Sequence, residues 1–177
     1  MTTCRELTSP VGKLLLAAHA NGLTHLLFAD PGGQPLRART RPRSDGSIEA
    51  ERILDDTESQ LTEYFSGART AFELPLAPEG TDFQQAVWHA LSAISYGELS
   101  SYGLLAESIG RTRAVRAVGA ANGANPISII VPCHRVVGQD RRLTGYGGGL
   151  PAKRLLLELE GVRFSGDRID AGTATEL

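Results

Sequence analysis

The feature that most constrains this chain is a cysteine between two short β-branched runs. Residues 129–137 read Ile-Ile-Val-Pro-Cys-His-Arg-Val-Val. Such runs predict buried strands. Pro132 cannot donate a hydrogen bond to a sheet, so strand pairing should end where the thiol of Cys133 appears. The next two residues are histidine and arginine, and either can favour a thiolate, so we interpret the break as a nucleophile at the edge of a core. An inert buried cysteine is the alternative.

The composition is that of a soluble globular protein of one or two domains. The chain has 177 residues, of which 41% are hydrophobic and 21% are charged, so it can bury a sizeable core. No apolar run approaches the roughly 20 residues that cross a bilayer, and we expect no membrane partner. The N-terminus lacks the pattern of an export signal, and Cys4 and Cys133 are the only cysteines. These features argue against a disulfide framework and predict a cytoplasmic location.

Positive charge is concentrated in one segment of a slightly acidic chain. The formal net charge is −2, yet the segment from Arg111 to Arg154 has eight basic residues and one acidic residue, Asp140. A local excess of this kind can bind a polyanion. The same segment contains Cys133, which favours a functional charge excess over a merely solvated basic surface.

The first third of the chain predicts a small antiparallel sheet followed by a helix. Three strands are expected, near residues 4–8, 14–18 and 23–28. A turn at Ser9–Gly12 joins the first pair of strands, and Asn21-Gly22 predicts a tight hairpin between the second pair. Residues 30–46 predict a mobile loop with four arginines, Arg37, Arg39, Arg41 and Arg43. The helix is expected from Ile48 to Ser66, with Gly67 as its stop.

A linker and a capping box mark the start of a second domain. The segment from Leu74 to Gly80 contains two prolines and is typical of an extended linker. We therefore predict an N-terminal domain over residues 1–78 and a C-terminal domain over residues 79–177. Thr81 and Gln84 form a capping-box pattern, which predicts a helix ending near Ser95 with Trp88 in the core.

Two short helices after this point match a helix-turn-helix. Ser100 or Ser101 should cap the first helix, and Gly110-Arg111-Thr112 predicts a tight turn. Thr112 should cap the second helix, over Arg113–Asn122, whose small residues give it a slim surface that can enter a groove of DNA. Many helical hairpins bind nothing, so this signal is weak by itself.

The C-terminal third predicts a glycine-rich loop and one more helix. Gly147, Gly148 and Gly149 permit a close approach of the backbone to a ligand, although a flexible surface loop is the alternative. The helix is expected over Ala152–Glu160, with three residues facing inward, Leu155, Leu156 and Leu159. A loosely held tail is expected after Gly161.

Several motifs within this second half occur together in one known family. They are Phe83-Gln84-Gln85-Ala86-Val87-Trp88, Tyr96-Gly97-Glu98, Ser101-Tyr102, the run from Arg116 to Pro126, Pro132-Cys133-His134-Arg135-Val136, Leu143-Thr144-Gly145-Tyr146 and Leu157-Glu158-Leu159-Glu160. The chain resembles the 6-O-alkylguanine-DNA alkyltransferases. The resemblance implies an α+β fold, with a ribonuclease-H-like N-terminal sheet and helix, and a mostly helical, winged-helix-like C-terminal domain.

The resemblance also implies roles for individual residues. Cys133 is the expected alkyl acceptor, His134 the base that relays its proton through a water, and Glu160 the carboxylate that orients His134. Asn125 is expected to hold the turn around the site. For the substrate, the resemblance implies that Tyr102 crowds a phosphate and protonates the purine, that Arg116 fills the vacated stack, and that Tyr146 and Gly147 line the base pocket. The remaining contacts to substrate or DNA are implied for Ala114, Ala120, Asn122, Gly123, Arg135 and Val136.

The implied activity is the direct repair of 6-O-alkylguanine, chiefly 6-O-methylguanine and less 4-O-methylthymine, in double-stranded DNA. A damaged base inside a duplex is out of reach, so it must be flipped out before a sulfur nucleophile can attack it. The product is a thioether, which offers water no carbonyl to attack, so each molecule should act once. No cofactor or metal is implied. A monomer in solution is expected, and the sequence leaves open whether it assembles cooperatively on DNA.

Three other interpretations stay open from the residues alone. A cysteine hydrolase could use Cys133, a histidine and Glu160, and would turn over more than once. A pure DNA-binding regulator could use the helix-turn-helix without any reaction. A metal site is the third, but Cys4, His19 and His25 match no tetrahedral spacing.

Overall fold

The computed structural model describes residues 2–30, 32, 34 and 47–170, together with the backbone of Thr175 and Glu176. By contacts, the chain divides into two compact units. One is Met1–Glu79 with Pro126–Ile130, and the other is Gly80–Asn125 with Val131–Leu177. The four arginines at 37, 39, 41 and 43, and most of the predicted loop around them, lie outside the described residues.

The N-terminal unit is a three-stranded antiparallel sheet covered by one helix. Its strands are β1 (Thr3–Ser9), β2 (Gly12–His19) and β3 (Gly22–Phe28), paired in that order, and α1 (Ile48–Phe65) packs against all three. The central strand β2 is buried over five consecutive residues from Leu14 to Ala18, because it has a neighbour on either side and a helix above it. The predicted sheet, hairpin and helix are confirmed.

An arginine on β1 ties the sheet to the helix. The Arg5 guanidinium bonds to three carboxylates of α1, those of Glu51 and Asp55 at 2.7 Å and that of Glu58 at 3.2 Å. The three acids lie at spacings of three and four residues, so they share one face of the helix. This arrangement fixes the α1 face that lies over the first strand.

Two later segments return to β3. Leu23 donates its N–H to the Pro75 carbonyl at 2.8 Å, so the predicted linker is an extra pairing partner of the sheet. Gly22 is required there, since a Cβ at this position would lie 2.7 Å from the Pro75 oxygen. Leu26 similarly donates to the Pro126 carbonyl at 2.8 Å. Sequence reasoning missed this return of Pro126–Ile130.

The strand predicted over residues 129–131 is wrong. Ile129 and Val131 are buried as expected and Ile130 is half-buried, but the chain turns at 128–130, and Ile129 has a φ of +72°. A β-branched residue rarely adopts this conformation. Burial, rather than strand pairing, therefore explains the apolar run before Cys133.

The C-terminal unit contains three packed helices and a small parallel sheet. The helices are α2 (Asp82–Ser92), α3 (Tyr102–Ser108) and α4 (Val115–Gly123), which contact one another pairwise. The strand β4 (Glu98–Ser101) pairs in parallel with β5 (Val136–Val137) and with β8 (Thr175–Glu176). A 3₁₀ turn (Cys133–Arg135) precedes β5, and α5 (Gly149–Leu159) follows it.

Several predicted helix ends in this unit are corrected. The capping box of Thr81 and Gln84 is present, but α2 ends at Ser92 rather than near Ser95. Ser101 caps α3, as predicted. Helix α4 begins at Val115 after Ala114 and has no side-chain cap, so Thr112 is not its cap and the turn between α3 and α4 is longer than three residues.

The predictions for the end of the chain are also corrected. Helix α5 starts at Gly149, and Leu157 is buried while Leu155 is 36% exposed. As far as residue 170, the tail after Gly161 forms a hairpin of β6 (Phe164–Ser165) and β7 (Arg168–Ile169) rather than a loose segment, and residues 171–174 and 177 lie outside the described residues. Its apolar side chains join a core cluster that consists of Leu99, Val137, Leu157, Val162 and Ile169.

The coarse architecture, a mixed α and β fold with an N-terminal sheet and a mainly helical C-terminal part, is confirmed. Within the described ranges, the structure contains no helix that is both long and apolar enough for a membrane span.

Candidate active site

The cysteine singled out by sequence lies at the first position of the 3₁₀ turn. Cys133 is 5% exposed, and its N–H donates to the Val131 carbonyl at 2.8 Å. The Asn125 side-chain amide donates to the same carbonyl, also at 2.8 Å. Two donors on one carbonyl fix the backbone just before the thiol. Asn125 therefore holds this turn from the end of α4.

Behind the thiol, one carboxylate joins three partners. Glu160 follows α5, and its Oε1 lies 2.8 Å from His134 Nε2. The Arg135 guanidinium donates to both carboxylate oxygens, at 2.8 and 2.9 Å, and the Gly97 N–H donates to Oε2 at 3.2 Å. All of these side chains are buried, so the contacts are shielded from water.

The charges in this cluster follow from its burial and its hydrogen bonds. Burial raises the pKa of Glu160, but hydrogen bonds from His134 and Arg135 and the positive charge of Arg135 outweigh it and leave this pKa well below the ordinary value. Burial lowers the pKa of His134 and outweighs its bond to Glu160. Glu160 is thus ionised near pH 7 and His134 is neutral.

These charges assign the histidine tautomer. A neutral His134 facing an ionised carboxylate carries its proton on Nε2 and donates it to Glu160. The other ring nitrogen, Nδ1, is then an acceptor, and it has no hydrogen-bond partner in the described part of the chain. Cys133 is thus followed in sequence by a neutral histidine that a carboxylate orients, and such a histidine is a candidate base for a thiol nucleophile.

Arg135 has a different place from the one implied by resemblance. It is 6% exposed, and besides Glu160 it donates to the Ile94 carbonyl at 2.6 Å. A guanidinium with these partners is not presented to a DNA phosphate. The structure instead gives Arg135 the task of neutralising Glu160. Sequence reasoning missed this role, because the partner lies 25 residues away.

A tyrosine of α3 contacts the segment that leads into the glycine-rich loop. Tyr102 begins α3, and its hydroxyl lies 2.9 Å from the hydroxyl of Thr144. A Cβ on Gly119 of α4 would lie 3.7 Å from the Tyr102 ring, an ordinary van der Waals distance, so α4 packs against Tyr102 at this position. Tyr146 is 6% exposed, and its ring meets His134 edge-on, with the ring centroids 6.3 Å apart. Gly147 follows directly and is half-buried.

The remaining predicted contact residues fall into two groups. Arg116, Ala120 and Gly123 are exposed on α4, and Ala114 is half-buried at its start. Asn122 and Val136 are buried, so their side chains do not face solvent. The Trp88 indole donates to the Ala121 carbonyl at 2.9 Å, which confirms Trp88 as a core residue and anchors α4 to α2.

Sequence reasoning missed one further buried group. Lys153 on α5 is fully buried, and its ammonium donates to the backbone carbonyls of Val136 and Thr144. Its position on the inner face of an amphipathic helix was the available signal. No group of three or more metal-binding side chains (His, Cys, Asp or Glu) is placed to hold a metal ion among the residues that the structure describes.

Two family models together match most of the chain. The ribonuclease-like domain of 6-O-methylguanine DNA methyltransferase matches residues 4–78, and the DNA binding domain of 6-O-methylguanine DNA methyltransferase matches residues 82–162. This chain belongs to that family. The site at Cys133 lies within the second match.

Relatives in the family are similar over almost their whole length. A methylated-DNA–protein-cysteine methyltransferase from Mycobacterium leprae is 49% identical over 90% of this chain and 93% of its own. One from Methanosarcina barkeri is 50% identical over 86% of this chain and 92% of its own. A crystal structure of Mycobacterium tuberculosis OGT in complex with DNA matches with a TM-score of 0.77 and 48% identity, over 89% of this chain and 92% of the other.

Proposed function

We propose that this chain repairs 6-O-alkylguanine in duplex DNA by transferring the alkyl group to Cys133, once and irreversibly. The observation that carries the proposal is the buried neutral His134, held by ionised Glu160 and next in sequence to the thiol. Two kinds of relative support the substrate class. Methylated-DNA–protein-cysteine methyltransferases are about half identical to this chain, and a similar crystal structure contains DNA.

The proton of the thiol leaves through His134. In the proposed step, Nδ1 accepts the Cys133 proton through a water, and the imidazolium that forms is stabilised by Glu160. Arg135 keeps Glu160 ionised and in place without touching the reacting atoms. The thiolate then attacks the saturated carbon of the lesion, for which sulfur is a strong nucleophile.

The guanine oxygen is a poor leaving group until it is stabilised. We assign that task to the Tyr102 hydroxyl, which donates a proton toward the purine ring, and to the Gly147 N–H, which faces the 6-oxygen. Tyr146 lines the pocket beside His134. We expect 4-O-methylthymine, which the resemblance also implies as a substrate, to react less than 6-O-methylguanine.

DNA is engaged by the helix-turn-helix of α3 and α4, in the manner of a winged helix. The exposed face of α4 carries small residues and Arg116, which suits close entry into a groove. The flipped nucleotide leaves a gap in the base stack, and we assign the Arg116 side chain to fill it. We propose functional domains over residues 1–78 and 79–177, and a cytoplasmic monomer as the working unit.

Intact-protein mass spectrometry tests the proposal directly. After mixing with an oligonucleotide that contains 6-O-methylguanine, the protein should gain the mass of one methyl group, on the peptide that contains Cys133, and consume no more than one equivalent. Cys4→Ser should react normally, and Cys133→Ser should not react.

Each rival predicts a different result. A gain on Cys4 would contradict the assignment of the acceptor. Turnover beyond one equivalent would support a cysteine hydrolase. Duplex binding with no gain in mass would support a regulator that only binds DNA.

A further inference from the structure

Lysine is scarce in this chain, and one of its lysines lies inside the candidate site. The sequence has sixteen arginines but only two lysines, Lys13 and Lys153. The Lys13 side chain is 31% exposed and lies 3.4 Å from the Glu6 carboxylate, an ordinary surface pair. Lys153 is fully buried. A buried ammonium is costly unless it has polar partners or an opposite charge, so its presence calls for an explanation.

The ammonium of Lys153 bridges two backbone segments of the site. It donates to the Val136 carbonyl at 2.6 Å, directly after the turn that carries Cys133. It also donates to the Thr144 carbonyl at 3.1 Å, and the Thr144 hydroxyl lies 2.9 Å from that of Tyr102. One side chain thus connects the turn of the nucleophile with the segment that contacts Tyr102.

The charge of Lys153 is not neutralised by any carboxylate in the described part of the chain. Glu160 is occupied by His134, Arg135 and Gly97, and Glu158 bonds to Arg154 on the exposed side of the same helix at 2.8 Å. The Lys153 ammonium interacts electrostatically with two titratable groups on the 3₁₀ turn, Cys133 and His134.

Burial and the charge of Cys133 have opposite effects on the pKa of Lys153. Burial lowers the pKa of Lys153 to about 8, and the charge of Cys133 acts to raise it. Attraction between a thiolate and an ammonium is reciprocal, so the group that helps to keep Lys153 protonated is itself stabilised as a thiolate. Attraction between opposite charges is stronger in a site that is shielded from water than in bulk solvent.

We propose that Lys153 is a positioning residue of the alkyl-acceptor site, whose buried ammonium ties the turn that carries Cys133 to the Thr144 segment and stabilises the Cys133 thiolate. The inference rests on Cys133 being the acceptor. It adds a cation that acts through the nucleophile rather than on the substrate. Arginine would not serve equally, because a planar guanidinium needs more space and several acceptors.

Alkylation of Cys133 removes the anion, so the proposal predicts that Lys153 changes its titration when the thiol is blocked. With lysine labelled at the ε-carbon by carbon-13, the chain gives two lysine signals, and Lys13 is an internal reference. Blocking Cys133 with iodoacetamide, which forms a neutral thioether, should lower the titration midpoint of Lys153 by about one pH unit or more. The midpoint of Lys13 should not move. An unchanged midpoint of Lys153 would overturn the proposal.

A matched pair of variants tests the other half of the coupling. Lys153→Met keeps the length of the side chain without the charge, and Arg154→Met removes a charge from the adjacent, exposed position of α5. In Lys153→Met, the pH midpoint of iodoacetamide labelling at Cys133 should rise by about one unit, a roughly tenfold loss of thiolate near pH 7. Peptide mass spectrometry separates this label from that on Cys4.

The two variants also separate charge from mere packing. A packing role alone would change the fold or the labelling rate but leave the midpoint in place, and this outcome would overturn the proposal, as would equal shifts in both variants. If Lys153→Met does not fold, the lysine titration of the unaltered protein still decides. Neither measurement uses DNA, so a failure of the repair function would be seen separately, in the mass-gain experiment.

Discussion

At the scale of single residues, Glu160 has the largest number of partners in the site. Its carboxylate accepts from His134, Arg135 and Gly97, and every one of these contacts is lost or weakened when the charge is removed. A glutamine could still accept on one atom, but its amide nitrogen would face the donors of Arg135. The role of Glu160 can therefore be tested without a large change of shape.

We expect Glu160→Gln to slow the reaction of Cys133 with free 6-O-benzylguanine by on the order of tenfold or more, because His134 loses its orientation and the support for its positive charge. Affinity for undamaged duplex should be unchanged. Glu158→Gln, an exposed neighbour on α5, is the matched control. Rates measured by intact mass provide the test, and equal rates in the two variants would contradict the relay.

Part of the cluster around Glu160 could be predicted from the sequence, and the rest could not. Cys133 and His134 are adjacent, so their chemistry can be inferred from the sequence itself. The role of Glu160 was implied by the family resemblance. The contact of Arg135 with Glu160 and the burial of Lys153 depend on how distant segments pack. No local pattern encodes such pairings, so sequence reasoning assigned Arg135 to DNA and passed over Lys153.

At the scale of elements, α4 is the helix that we propose enters DNA. It is held from inside by Trp88 and by its contact with Tyr102, and it leaves Arg116 exposed. Its start at Val115 could not be read from the sequence, because Thr112 has the chemistry of a cap but the observed cap position is Ala114, without a side-chain bond. Turn geometry decided the boundary, not cap preference.

For Arg116→Ala, we expect repair of a duplex containing 6-O-methylguanine to slow at least about tenfold, while the reaction with free 6-O-benzylguanine stays within about twofold of the original rate. The free base needs no flipping, so only the duplex reaction requires a side chain in the vacated stack. Arg52→Ala, on α1 of the N-terminal unit, controls for the loss of one positive charge. Equal losses on both substrates would show that Arg116 supports the pocket or the fold instead.

The hairpin of β6 and β7 is a structural element rather than a loose tail. Val162 and Ile169 are buried against Leu99, Val137 and Leu157, so the segment closes the same core that β5 enters after the 3₁₀ turn. Its strands have two residues each, too short for a periodic signal in the sequence.

Ile169→Ala should lower the free energy of unfolding by about 2–5 kcal/mol, the usual cost of emptying a buried isoleucine site. Asp167→Ala, at the exposed turn of the same hairpin, should change it by less than about 0.5 kcal/mol. Urea unfolding followed by circular dichroism measures both. A small effect for Ile169→Ala would mean that the hairpin does not support the core.

At the scale of the whole molecule, the buried ionisable groups couple stability to pH. Burial holds the pKa of His134 below its ordinary value of 6.5, and it does the same for His25 in the N-terminal unit. Below that value, the unfolded chain binds protons that the folded chain does not, so stability is complete above about pH 6.5 and is lost as the pH falls. Glu160, with its lowered pKa, acts in the same direction below 4.5.

The midpoint of thermal unfolding should therefore decrease steadily from about pH 7 to about pH 5. Replacing His134 with glutamine should flatten part of this dependence, because one of the two histidines with a lowered pKa no longer titrates. The exposed His89 offers a control, and His89→Gln should keep the original slope. A slope that is the same in all three proteins would show that the histidines do not determine acid stability.

The hydrogen bond between Trp88 and Ala121 has a practical consequence. The chain contains one tryptophan, and its indole is fixed to the backbone of the helix proposed to enter DNA. The tryptophan fluorescence of the protein therefore comes from a single place, and its wavelength is sensitive to whether that indole keeps its carbonyl partner. A displacement of α4, during DNA capture or after the thiol is consumed, would be visible as a spectral change in the unlabelled protein. Trp88 is therefore a built-in fluorescent probe of the position of α4.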